Sequence, residues 1–208
     1  MKNFATMFKP LAMSIALLAI FGAAQIAKAD PVTVSGTSSG TVTGTAANFL
    51  TFTGNNFTAT TANGVGSFSG ADRIGTFVLA SSAANTPVSG NFTLNLTFTA
   101  PSGIAGGQAA TYTATVSGTI STPNVGGVQI VFDNPIQTFT FANASGSGSF
   151  SIELPKVFVQ SGDTANLTAG LTGNQTAAVP EPATMILLGT GLAGVAARIR
   201  KRRKNAEE

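Results

Sequence analysis

Two side chains central to enzyme chemistry are missing from this sequence: it contains no histidine and no cysteine. Without imidazole or thiol, neither a Ser-His-Asp nor a Cys-His site can be assembled, and zinc loses its usual ligands. Carboxylates and hydroxyls remain. Asp72, Asp133, Glu153 and Asp163 are well separated along the chain, and a glycosidase would need two of them facing one another across a cleft. Glu153 follows Ile152 on the wet side of an alternating run, where solvation is its simplest fate. Asp72-Arg73 reads as a turn with a surface ion pair. Asp133-Asn134 and Ser161-Gly162-Asp163 could offer oxygens to calcium, yet neither has EF-hand or repeat spacing, and turn capping explains both at less cost. No serine has the Gly-x-Ser-x-Gly setting of a strand-to-helix elbow; Ser147, in Gly146-Ser147-Gly148, belongs to a turn before a strand. The sequence therefore assigns no catalytic residue, no metal ligand and no cofactor, and a non-enzymatic role is expected.

The hydroxyls are abundant and spaced by two: Thr51/Thr53, Thr58/Thr60, Thr97/Thr99, Thr111/Thr113/Thr115 and Thr138/Thr140. Threonine is β-branched and suits an exposed strand position, so sheet propensity alone explains these pairs. A sharper reading is a flat hydroxyl–methyl array like that of ice-binding proteins, but the pairs lie in dissimilar segments without a repeat to align them. Carbohydrate recognition usually relies on aromatic platforms. Tryptophan is absent, Tyr112 is the one tyrosine, and the fifteen phenylalanines fall mostly at core-facing positions, so no stacking surface is evident.

Both ends of the chain carry a different kind of information. Lys2 and Lys9 precede the apolar run Leu11–Phe21, and Ala27-Lys28-Ala29 then places small residues at −3 and −1 of a cleavage site before Asp30. This is the pattern of a secretory signal peptide cut by signal peptidase. At the other end, Val179-Pro180-Glu181-Pro182 precedes an uncharged apolar segment, Ala183–Ala197. A basic cluster follows: Arg198, Arg200, Lys201, Arg202, Arg203 and Lys204. Basic residues next to an apolar segment stay on the cytoplasmic side and stop transfer. The segment is short for a permanent anchor: about 15 residues at about 1.5 Å each cover about 22 Å of a hydrocarbon core about 30 Å thick.

Residues 179–204 resemble a PEP-CTERM sorting signal, the tripartite C-terminal tag of exported bacterial proteins. Pro180-Glu181-Pro182 is its name motif, followed in order by the apolar segment and the Arg-rich end. The resemblance implies recognition and processing near the motif by an exosortase-type membrane enzyme. It further implies transient residence in the inner membrane, then the cell surface or the medium, where an exopolysaccharide is a candidate partner. It implies nothing about the central region.

The ends also distort the charge balance. The formal net charge of +3 and pI near 9.6 come from the terminal lysines and arginines. From Asp30 to Val179 only Arg73 and Lys156 oppose Asp30, Asp72, Asp133, Glu153 and Asp163. A nucleic-acid partner is therefore excluded, because nothing basic remains to hold phosphate. Without cysteine, stability must come from sheet hydrogen bonds and apolar packing.

The central region reads as strands. Asn91–Thr99 alternates perfectly, with Phe92, Leu94, Leu96 and Phe98 on one face. Thr111–Val116, Gln137–Phe141 and Ser149–Leu154 repeat the pattern, and less regular candidates include Val32–Val42, Lys156–Val159 and Asn166–Leu171. Turn sequences such as Asn63-Gly64, Gly126-Gly127 and Asn134-Pro135 separate them. The expected organisation is a signal peptide at residues 1–29, an all-β sandwich or jelly-roll-like domain at 30–169, a polar linker at 170–178, and the sorting signal with one transmembrane helix at 179–208. A β-solenoid is the alternative topology, though no repeat of fixed length is present. Phe92, Leu94, Leu96, Phe98, Tyr112, Val116, Phe139, Phe141, Phe150 and Ile152 are expected in the core. The functional expectation is an exported surface or extracellular-matrix protein. A carbohydrate- or calcium-binding module is the alternative, ahead of an ice-binding protein or a carboxylate-dependent glycosidase.

Overall fold

The computed structural model describes residues 30–177 and 190–192. The residues of the expected signal peptide, Ala27 and Ala29 among them, lie outside the described residues. So do Pro180, Glu181, Pro182 and the basic cluster from Arg198 to Lys204. Thr190–Leu192 is helical. Among the described residues no helix is long and apolar enough to cross a membrane.

The described chain is all-β, as expected. Its strands are β1 (Thr33–Val42), β2 (Leu50–Gly54), β3 (Asn56–Thr60), β4 (Val65–Phe68), β5 (Gly75–Leu79), β6 (Thr86–Ala100) and β7 (Ala109–Ile120). They continue with β8 (Gly126–Phe132), β9 (Ile136–Asn143), β10 (Gly146–Glu153), β11 (Val157–Gln160), β12 (Thr164–Leu167) and β13 (Ala169–Ala177). Three antiparallel sheets form, in the orders β11-β8-β7-β6-β1-β3, β4-β13-β10-β9 and β12-β5-β2. They curl around one core like a sandwich or half-barrel.

The long alternating strand β6 explains how the sheets meet. At one end Phe98 packs against Phe139 of β9 and Phe150 of β10, with ring centroids 5.1 and 5.5 Å away. At the other, Phe92 meets Phe52 of β2 and Phe77 of β5 at 5.0 and 4.9 Å. One face of the six-stranded sheet thus covers both smaller sheets. Tilted and edge-to-face rings of this kind add about 0.5–1.5 kcal/mol per pair beyond the area they bury. Tyr112 of β7 spans the same interface, its hydroxyl donating to the Ile152 carbonyl of β10 at 3.4 Å. Burial raises the Tyr112 phenol well above its ordinary pKa.

The expected core residues are buried except Phe139, which is half-buried. Its strand is the outer edge of the four-stranded sheet, where no further strand shields the ring. Two expectations need correction. The supposed polar linker at 170–178 is strand through Ala177: β13 pairs with β10 over Gly170–Ala177 and with β4 over Ala169–Thr172. Backbone hydrogen bonds on both sides stabilise it despite its apolar-poor composition. Asp72 and Arg73 make a 3₁₀ turn, Gly70–Asp72, but no ion pair. The Arg73 guanidinium instead donates to Thr76 Oγ1 at 2.9 Å and the Gly70 carbonyl at 2.8 Å.

Candidate functional site

Because side chains alternate across a strand, burying one face of β6, β7, β1 and β3 commits the other to solvent. That outer face is made of short hydroxyl and amide side chains. Register aligns what the sequence left unaligned. Thr60 lies opposite Thr33, and Thr58 opposite Ser35. Thr37 lies opposite Thr97 and Thr41 opposite Thr93. The rows continue through Thr93–Thr113, Asn95–Thr111 and Asn91–Thr115. Neighbouring rows are about 6.7 Å apart along the strand and neighbouring strands about 4.8 Å apart. Several hydroxyls are held by one another: Thr33 Oγ1 and Thr60 Oγ1 at 2.8 Å, Ser35 Oγ and Thr99 Oγ1 at 3.0 Å. Thr111 Oγ1 donates to Asn95 Oδ1 at 2.9 Å.

Thr51 and Thr53 belong to the three-stranded sheet, and Thr138 and Thr140 to the outer face of the four-stranded sheet. On that second face, Thr140, Ser147, Ser149, Asn174 and Thr176 line an open groove of about 550 Å³, bordered by Gly103 and Ala105. Ser147 is thus an exposed hydroxyl between Ala142 and Thr176; the chain has no histidine to activate it, and no carboxylate lines its groove. A second groove of about 480 Å³ adjoins through Asn174 and includes Asp30, Thr61 and Asn63.

The acids are individually accounted for. Asp133 accepts a hydrogen bond from Thr113 Oγ1 at 2.7 Å, and Asp163 caps the next residue, with Thr164 N–H donating to its Oδ1 at 2.7 Å. Glu153 is exposed at the end of β10, as expected, and Asp72 ends its 3₁₀ turn. Asp133 and Glu153 flank the start of β9, whereas Asp72 and Asp163 occupy other turns. Among the described residues no three acids, histidines or cysteines gather where a metal could be held. The two calcium candidates, Asp133-Asn134 and Ser161-Gly162-Asp163, are not brought together. The chemistry offered by these faces is neutral hydrogen bonding.

One surface residue escaped sequence reasoning. Phe158 is 60 % exposed on β11, opposite Gln129 of β8. The signal was present: in Lys156-Val157-Phe158-Val159-Gln160, inward Val157 and Val159 force the phenylalanine outward.

Comparison with known proteins bears on the C-terminal segment alone. Residues 178–203 match the family model of the PEP-CTERM protein-sorting motif, which marks an exported protein sorted by exosortase at the membrane. No curated protein matches the chain, and neither does any solved structure.

Proposed function

We propose that the PEP-CTERM match describes the route of a non-enzymatic component of the cell surface or extracellular matrix. In this reading signal peptidase cuts before Asp30, and the tag holds the protein briefly in the inner membrane. Exosortase then processes it near Pro180–Pro182, releasing a domain with neutral, hydroxyl-covered faces. The observation that carries the reading is the match at residues 178–203. The lack of imidazole and thiol supports the non-enzymatic part. A matrix component need only persist and adhere, and an all-β domain with uncharged outer faces suits both tasks.

Mass spectrometry of membrane, surface and medium fractions tests the route. The expected product begins at Asp30 and ends near Pro180–Pro182. Recovering only the form ending at Glu208, in a host that encodes an exosortase, would refute it. Reproducible hydrolase activity of the purified protein, abolished by changing one acid, would overturn the non-enzymatic role.

A further inference from the structure

We infer that the β8–β11 end of the six-stranded sheet is a glycan-binding surface, with Phe158 as its stacking platform and a neutral polysaccharide as its ligand. The inference rests on the surface-component reading above and names what that surface holds.

The outer faces of β1, β3, β6 and β7 are almost wholly Ser, Thr and Asn. The pattern changes only at the β8–β11 end, where Val131 is 43 % and Phe158 60 % exposed. Burial does not explain this phenylalanine, because Val157 and Val159 already supply the inward side of β11. The ring is supported from below. A Cβ built on Gly127 would fall 2.6 Å from Phe158 Cζ, so the ring tip lies over a glycine whose missing side chain makes room for it. The same contact shields Gly127, as cross-strand aromatic–glycine pairs do, while most of the ring surface remains in water.

Polar groups continue from the ring in a single row. Phe158 lies opposite Gln129, Gln129 opposite Ser117, and Ser117 opposite Ser89. Four strands span about 14 Å at about 4.8 Å each, a length suited to several sugar rings in line. Beside Phe158, Gln160 is held by donation from its Nε2 to the Asn124 carbonyl at 2.8 Å. That bond fixes the carboxamide without using its oxygen. An apolar ring beside one held carboxamide, Gln160, with the Gln129 carboxamide and the Ser117 and Ser89 hydroxyls in line, matches the two surfaces of a pyranose: C–H groups on one side, hydroxyls around the rim. The row contains no charged side chain, which favours a neutral glycan over an acidic one.

The test uses the full-length chain purified in detergent, with insoluble cellulose, insoluble chitin and neutral exopolysaccharide from the host medium as probes. Sedimentation and affinity electrophoresis are expected to show retention on at least one. Phe158→Ala should weaken that retention about tenfold, the equivalent of about 1.4 kcal/mol. Phe158→Tyr should preserve it, Phe158→Leu, which keeps apolar packing on the sheet without an aromatic face, should weaken it as Phe158→Ala does, and Gln129→Ala should weaken it with an unchanged melting temperature. Wild-type failure on all three glycans would overturn the inference. So would Phe158→Ala binding as well as wild type, or Phe158→Ala abolishing self-association while leaving glycan retention intact, which would make this end an interface between copies. Correctly processed termini in a protein that ignores glycans would sink this inference alone; unprocessed protein that binds them would sink the sorting route alone.

Discussion

A methyl group at Gly40 should destabilise the domain, and shortening Phe92 should relieve it. Gly40 sits on the inner side of β1 opposite Leu94 of β6. A Cβ there would lie 2.5 Å from Phe92 Cε2 and 2.7 Å from Phe52 Cδ1. Carbons make their best contacts at about 3.5–4.0 Å, so the overlap is about 1 Å with each ring. Phe92 is fully buried and Phe52 partly so, which limits how far either ring can retreat. Phe52, Phe77 and Phe92 form a closed triangle with centroids 4.9, 5.0 and 4.9 Å apart. Overpacking typically costs about 1–3 kcal/mol, whereas removing glycine's freedom from the unfolded chain returns about 0.4–1 kcal/mol. Gly40→Ala should therefore lose about 1–2 kcal/mol. Phe92→Leu alone should also destabilise, by leaving a void. Together, the methyl occupies space the ring vacated, and the double variant should be about 1–2 kcal/mol better than the sum of the singles. Urea unfolding at constant m-value measures all four proteins. Additivity within about 0.5 kcal/mol, or a more stable Gly40→Ala, would refute this account of the β1–β6 contact.

Three further perturbations probe other parts of the molecule. Leu96→Asp puts a carboxylate at a fully buried position; an uncompensated buried charge costs about 3–5 kcal/mol, so circular dichroism should show little folded protein at neutral pH. Tyr112 is protonated in the fold after an unfolded tyrosine ionises near pH ~10, so the unfolded state then binds fewer protons and stability falls by up to about 1.4 kcal/mol per pH unit. Tyr112→Phe should flatten that part of the alkaline slope, and urea curves with equal losses in both proteins would contradict it. Replacing Pro180, Glu181 and Pro182 with alanine should leave export intact and hold the protein in the inner membrane, as fractionation would show.

Where strands alternate in size as well as polarity, as in Phe92-Thr93-Leu94-Asn95-Leu96-Thr97-Phe98, the fold was legible. β1 was harder because its inner side carries Gly36, Ser38 and Gly40 between valines. A Cβ at Gly36 would meet the Thr97 carbonyl oxygen and the Phe57 ring at 2.8 Å or less. The space belongs to aromatics from elsewhere in the chain, and local periodicity cannot reveal that. β13 was misread for the same reason. Its inward Gly173 is covered by Phe150, whose Cβ would lie 2.8 Å from a side chain placed there. A segment whose core contribution is a gap for another residue looks like a linker. Register was likewise illegible, although it turns scattered Thr-x-Thr pairs into rows. Phe158 was the opposite case, readable from two flanking valines.

The pairing that makes residues 170–177 a strand also fixes where the sorting segment leaves the domain. Gln175 accepts from the Asp30 N–H at 2.8 Å and donates to the Asp30 carbonyl at 3.0 Å. Asp30 is the first residue after the expected signal cleavage, so both expected processing points depart from one sheet. From Ala177 to Pro180 the chain can reach at most about 10 Å, which in the proposed route would keep the folded domain close to the bilayer until processing. In the proposed route, release near Pro180–Pro182 then frees outer faces that carry hydroxyls and carboxamides. Such faces hold their ligands with little help from charge, since the central region has few charged residues and most are accounted for by turns or local hydrogen bonds. Glycan retention should therefore change little between low and high salt, where screening would weaken exposed charge pairs. Retention that collapsed with added salt would shift the contact from the Phe158 row to the sparse charged groups of the turns.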